Sequence, residues 1–131
     1  MAAALQPADE EELTEAVREA AGRRSPLAVE GGGTRRGLGR PMQTAATLST
    51  AKLRGVTLYE PTELVLSARA GTPLAEVEAL LAKHGQRLAF EPMDHRVLYG
   101  SDGEPTVGGV VAANVSHTRS PVSAFKQRSW P

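Results

Sequence analysis

The sequence contains no cysteine. That excludes disulfides, thiolate metal sites and thiol nucleophiles, and leans toward a cytoplasmic setting. Aromatic residues make up only 4% of the chain, so a core has to be assembled from Leu, Val and Ala. Charge of neither sign dominates, since 15 basic residues stand against 15 acidic ones. A balanced chain with few aromatics argues against nucleic-acid binding, including through Arg35, Arg36, Arg40 and the basic tail. No apolar run reaches the roughly 20 residues of a transmembrane helix. The opening MAAALQPADEEEL has neither a basic start nor a long apolar centre, so it does not read as a secretory signal. His84, His95 and His117 lie far apart with no ligand spacing, so no metal site is expected. No Gly-x-Ser-x-Gly elbow is present for hydrolase chemistry.

What remains is a 131-residue chain, 40% hydrophobic and 23% charged, the profile of one globular domain. ADEEELTEAVREAAGRR reads as a helix. Asp9 caps it with Glu12 three residues on, Leu13, Ala16, Val17 and Ala20 recur at helical spacing, and Gly22 to Arg24 stop it. PLAVE, TAATLST and GVTLYEP are candidate strands. ELVLSARAGT alternates, with Leu64, Leu66, Ala68 and Ala70 on one face. A second helix follows, with Thr72 at the cap, Pro73 at the first turn, a stripe of Leu74, Val77, Leu80 and Leu81, and Gly85 at its end. The order helix, four strands, helix, strand implies an α+β fold rather than a regular βαβ series. EPMDHRVLYGSDGEP reads as loop, and the Asp94–His95 pair within it as an exposed loop pair. VSHTRSPVSAFKQRSWP carries Arg119, Lys126 and Arg128 without an acid, and Trp130 reads as a frayed end.

Two glycine-rich segments carry the functional argument. VEGGGTRRGLGRP places three successive glycines, a threonine and three arginines after an apolar strand. It is not a dinucleotide fingerprint, because Arg36 stands where the third glycine is needed, and not a Walker A loop, because Leu38 replaces the lysine. Glycine amides without side chains can still converge into an anion nest, with Thr34 adding a hydroxyl and Arg35, Arg36 or Arg40 adding charge. A solvated surface hairpin is equally open from the loop alone. EPTVGGVVAAN is the second segment. Its small residues permit close backbone approach or tight helix packing, and amides at a helix start attract phosphate.

Together, PLAVEGGGTRRGLGRP, YEPTELVLSARAGTPLAEVEALLAKHGQRLAFEP and TVGGVVAAN resemble the FAD-binding domain of the vanillyl-alcohol oxidase/p-cresol methylhydroxylase (PCMH) type. Within it, the E subunits of bacterial glycolate oxidases are most similar. The resemblance implies a first α+β subdomain over about 5–90, the start of a second over 91–114, and a divergent tail over 115–131. It implies non-covalent FAD, since no histidine falls in the glycine loop. Gly31, Gly32, Gly33 and Thr34 would wrap the FAD pyrophosphate, with Leu38 and Gly39 completing the loop. Thr106, Gly108 and Gly109 would form the second cofactor wall, and Glu91 and Pro92 a turn near the flavin.

The flavin would take a hydride from glycolate, giving glyoxylate, in a complex with a sister flavin subunit and an iron–sulfur subunit. The chain would be cytoplasmic, or peripheral to the inner membrane through that complex. The family pattern decays at His117, and its substrate-cap domain has no counterpart in these residues, so the chain alone is not expected to turn over substrate. The alternative reading is a truncated, non-catalytic remnant acting as an assembly module.

Overall fold

The computed structural model describes residues 3–118. The N-terminal half is organised by a three-stranded sheet in the order β1-β3-β2, built from β1 (Ala3–Leu5), β2 (Leu27–Glu30) and β3 (Ala46–Ser49). Both outer strands run parallel to β3, with Leu5 and Val29 in register with Leu48. Two parallel strands need a crossover. Helix α1 (Glu10–Gly22) supplies it. β1 was absent from the sequence reading because Ala-Ala-Leu carries no alternation; its pairing with β3 is what makes it a strand.

Helix α1 begins as expected, with the Asp9 carboxylate accepting from the Glu12 amide at 2.8 Å and three glutamates in the first turn. Its stripe is less buried than expected. Leu13, Ala16 and Ala20 are half-buried, but Val17 is 48% exposed and no residue of α1 is fully buried.

Strands β4 (Val56–Glu60) and β5 (Val65–Ala68) form an antiparallel hairpin with an irregularity between Val56 and Leu58. Leu66 and Ala68 face inward as the alternation predicted. Leu64 does not; it sits in the turn at φ 57° and is 79% exposed. Helix α2 (Leu74–Lys83) buries Val77 and Leu81, and Gly85 at φ 65° lets the chain leave it. The hairpin docks on the end of α2. The Tyr59 hydroxyl donates to Gln86 Oε1 at 2.5 Å, Gln86 Nε2 donates to the Pro61 carbonyl at 2.7 Å, and the Tyr59 and His84 rings meet edge to face.

Thr72 does not cap α2. Pro73 holds the cap position, with no side-chain cap bond. The Thr72 hydroxyl instead accepts from the Gly55 amide at 2.9 Å and donates to the Gly55 carbonyl at 3.1 Å, fully buried.

The stretch read as loop after Phe90 is structured. It holds β6 (Phe90–Pro92), α3 (Arg96–Tyr99), α4 (Val107–Ala113) and β7 (Ser116–Thr118), which pairs antiparallel with β6. Its regularity comes from cross-strand pairing and local caps, which leave no periodic signal. Arg119, Lys126, Arg128 and Trp130 lie outside the described residues. Among the described residues, the buried apolar ones are Ala46, Leu48, Leu53, Val77, Leu81 and Val110, so this core is aliphatic, as the scarcity of aromatics required.

Candidate functional site

Strand β2 ends at Glu30 and delivers the chain into the glycine loop. That loop packs backbone to backbone on the segment leading into α4. A Cβ added at Gly31 would lie 2.1 Å from Thr106 Oγ1, and one at Gly32 would lie 1.9 Å from the Glu104 carbonyl oxygen. Reciprocally, a Cβ at Gly103 would lie 1.9 Å from the Gly32 oxygen. The first two glycines are therefore required by protein packing. Gly33 is required by its positive φ of 72°.

Among the described residues, no backbone amide from Gly31 to Arg35 donates to a protein acceptor. The residues of this run, 31–35, border a cleft of about 460 Å³. Gly31, Gly32, Gly33, Thr34 and Leu38 line it from one side, and Thr106 and Gly109 from the other. The size falls in the range of about 300–1,000 Å³ usual for small-molecule sites.

The second wall contributes surface rather than amides. The Val107 amide donates to the Thr72 carbonyl, Gly108 to the Ala70 carbonyl, and Val110 to the Thr106 carbonyl, while Thr106 Oγ1 accepts from the Gly109 amide at 3.2 Å. All four donors at the start of α4 are thus held within the protein. Gly108 faces away from the cleft and packs on Ala70, where an added Cβ would meet the Ala70 side chain at 2.9 Å.

The remaining sequence candidates lie apart. Gly39, at φ 89°, has open space around it and does not line the cleft. Glu91 and Pro92 line a separate groove with residues of the α2 end such as Gln86 and Arg87.

The three loop arginines, equivalent in the sequence, are separated by the structure. Arg36 is held bidentately by Glu30, at 2.8 and 2.6 Å, and the hydrogen bonds and then the charge of Glu30 raise its pKa further. Arg40 lines the cleft mouth and is exposed. Arg35 crosses the cleft. Its Nη1 is 3.4 Å from Thr34 Oγ1, its Nη2 is 3.3 Å from the Met93 carbonyl, and its Nε is buried without a hydrogen-bond partner.

Asp94 and His95 do not form an acid/base pair, and His95 is not exposed. His95 is 2% exposed, with Nδ1 at 3.0 Å from the Met93 carbonyl and its ring stacked on Tyr99. Tyr99 in turn covers Gly37, where an added Cβ would touch its ring at 2.6 Å. Asp94 is bound by Arg96 at 2.7 Å, and these hydrogen bonds hold its carboxyl down to about 2. Among the described residues no three His, Asp or Glu side chains are gathered as metal ligands.

Sequence reasoning undervalued Gly103 and Arg35. The glycine in SDGEP was a usable signal for close approach. Nothing in the sequence distinguished Arg35 from Arg36, because the Glu30 pairing depends on how the loop folds.

Open amides, a buried hydroxyl and an arginine with an unpartnered Nε form a donor set suited to a diphosphate. The profile of a family described as FAD binding domain matches residues 1–126. The chain belongs to this family of FAD-binding domains, and FAD is the cofactor that such a domain takes. It is also 42% identical over 111 residues to glycolate oxidase subunit GlcE of Escherichia coli strain K12, covering 85% of this chain and 30% of that subunit. The expected family resemblance, α+β class and flavin cofactor are borne out.

Proposed function

We propose that the cleft between the glycine loop and α4 holds the diphosphate of a dissociable FAD, and that the chain is the flavin-carrying part of a 2-hydroxy-acid oxidase acting on glycolate. The observation that carries this reading is the run of open amides from Gly31 to Arg35, beside an arginine whose own hydrogen bonds go only to a hydroxyl and a carbonyl oxygen. The glycine contacts to residues 103–106 fix the loop before ligand arrives, so little ordering entropy is lost on binding. Thr34, 3% exposed, adds a hydroxyl at the loop's turn. Gly31, Gly32, Gly33, Thr34 and Leu38 hold the cofactor from the loop, and Thr106 and Gly109 close the opposite wall by shape. Gly108 supports that wall, Gly39 completes the loop exit, and Glu91 and Pro92 of β6 stand toward the flavin end rather than in the cleft.

When bound, the flavin supplies the acceptor for the hydride leaving the hydroxyl-bearing carbon of glycolate. The protein's part is to bind, orient and shield. In this reading residues 5–90 form the first subdomain and 91–114 begin the second. The working unit is a complex with a sister flavin subunit and an iron–sulfur subunit. Among the described residues no helix is long and apolar enough to cross a membrane; the proposed site of action is the cytoplasm, with the complex peripheral to the inner membrane.

Acid precipitation of the FAD-loaded chain tests the dissociable cofactor. Flavin in the supernatant supports the reading, and flavin fixed to the pellet contradicts it. Glycolate-dependent bleaching of flavin absorbance in the reconstituted complex tests the substrate, and bleaching that needs a different donor contradicts glycolate.

A second reading, a non-catalytic assembly module, draws on the exposure of Val97, Leu98 and Val111, at 92%, 64% and 71%. It predicts partner association by a chain that retains no flavin.

A further inference from the structure

The Arg35 guanidinium is held more weakly than its position allows. Three segments meet around it: Thr34 of the glycine loop, Met93 after β6, and Gly109 of α4. Its two hydrogen bonds are long, at 3.4 and 3.3 Å, both to neutral oxygens. Its Nε is buried with no acceptor at all. The absence of a side chain at Gly109 leaves the group its room, because an added Cβ there would lie 3.1 Å from Nη1. Arg36 sits one residue away and is bonded through Nε and Nη2 to both oxygens of Glu30. The loop therefore presents two neighbouring forks, one satisfied by a carboxylate and one not.

A planar guanidinium whose Nε is unpartnered and whose Nη2 makes only a long bond to a carbonyl can offer its Nε–Nη2 edge to two oxygens of a phosphate or diphosphate, which accept both N–H groups side by side. A hydroxyl and a carbonyl at the distances found here do not replace that pairing.

We propose that Arg35 is the residue that makes the cleft selective for a diphosphate-bearing ligand, turning its Nε–Nη2 edge from Met93 to the diphosphate when the ligand binds. The inference rests on the FAD reading and deepens it: the amides accept any compact anion, whereas Arg35 distinguishes the dinucleotide from a flavin that lacks the diphosphate. It is a positioning residue and takes no part in hydride transfer. The unpartnered Nε is a local weakness of the protein's own packing, as expected for a group arranged for binding rather than stability.

The test compares the parent chain with Arg35→Gln and Arg35→Lys, titrated with FAD, ADP and riboflavin at several salt concentrations. Loss of a charge-assisted pair lowers FAD and ADP affinity about 10- to 100-fold in Arg35→Gln. Arg35→Lys keeps the charge without the fork and recovers part of it. Riboflavin, which has no phosphate, binds all three chains alike. The salt dependence of FAD binding is shallower in Arg35→Gln, while its thermal midpoint without ligand stays at or above the parent value. A structural clamp alone would show the reverse: a lowered midpoint and no change in salt dependence. If the parent binds FAD and Arg35→Gln binds it equally well, the Arg35 assignment is overturned while the FAD reading stands. If the parent binds neither FAD nor ADP, both are overturned.

Discussion

Gly32 and Gly103 face each other backbone to backbone, so close that a Cβ on Gly103 would lie 1.9 Å from the Gly32 oxygen and one on Gly32 would lie 1.9 Å from the Glu104 oxygen. Neither partner can move without separating the glycine loop from the segment that leads into α4. Gly32→Ala and Gly103→Ala are each expected to destabilise the fold by about 1–3 kcal/mol through overpacking. Both should also weaken FAD binding, because the two walls of the cleft part. Urea denaturation and flavin titration of the same samples check this. Stability and binding both at parent levels would show that the contact does not set the loop.

Gly31 and Thr106 are coupled in the same way, through a side chain. Thr106→Ala alone removes the cap on the Gly109 amide and should cost about 0.5–2 kcal/mol. Gly31→Ala alone drives a methyl group into Thr106 Oγ1. The double variant relieves that collision, so it should be more stable than the sum of the single losses predicts, by about 0.5–3 kcal/mol. A double-mutant cycle that closes additively would refute the contact.

The buried hydroxyl of Thr72 serves Gly55 and not the helix that follows it. Thr72→Val should therefore lose about 1–3 kcal/mol, because the Gly55 amide and carbonyl are left without their partner. Thr72→Asn, a good capping residue, should be no better. Recovery of stability in Thr72→Asn would restore the capping role read from the sequence.

Asp94 gives a pH signature. Its carboxyl sits at about 2 against an ordinary 3.8, chiefly through its side-chain hydrogen bonds with Arg96. A depressed carboxyl contributes stability that is fully present above the unfolded value and is lost as pH falls through the folded one. The stability difference between the parent and Asp94→Asn should be constant at neutral pH and shrink between 3.8 and about 2. Solvent screening of this exposed pair keeps the whole effect below about 1 kcal/mol. A difference that grows on acidification would contradict the assignment.

The strands β2 to β5 and the helices α1 and α2 were legible because each carries a local signal: a cap, an alternation, a helical stripe or a terminating glycine. The strand expected after the second helix is β6, but β1, α3 and β7 were not legible, because they depend on pairing or capping partners and carry no periodic pattern. For the site, the glycine loop was found for a partly different reason than the one that holds. Gly31 and Gly32 are glycines because residues 104–106 press against them, and this leaves the amides open as a consequence. The start of α4 was open to two readings, an anion-binding helix end or a tightly packed small-residue helix, and its contacts match the second, with Gly108 against Ala70. Its amides are bonded to Thr106, a local cap, and to the carbonyls of Thr72 and Ala70, long-range bonds that no sequence spacing reveals.

The central claim is that the open amides of the glycine loop hold FAD. The most direct measurement is a titration of the purified chain with FAD, followed by flavin fluorescence and absorbance, in parallel with Gly32→Val. Saturable one-to-one binding by the parent that is lost in Gly32→Val is the predicted result. Absence of binding by the parent, or undiminished binding by a Gly32→Val chain that remains folded, would contradict it.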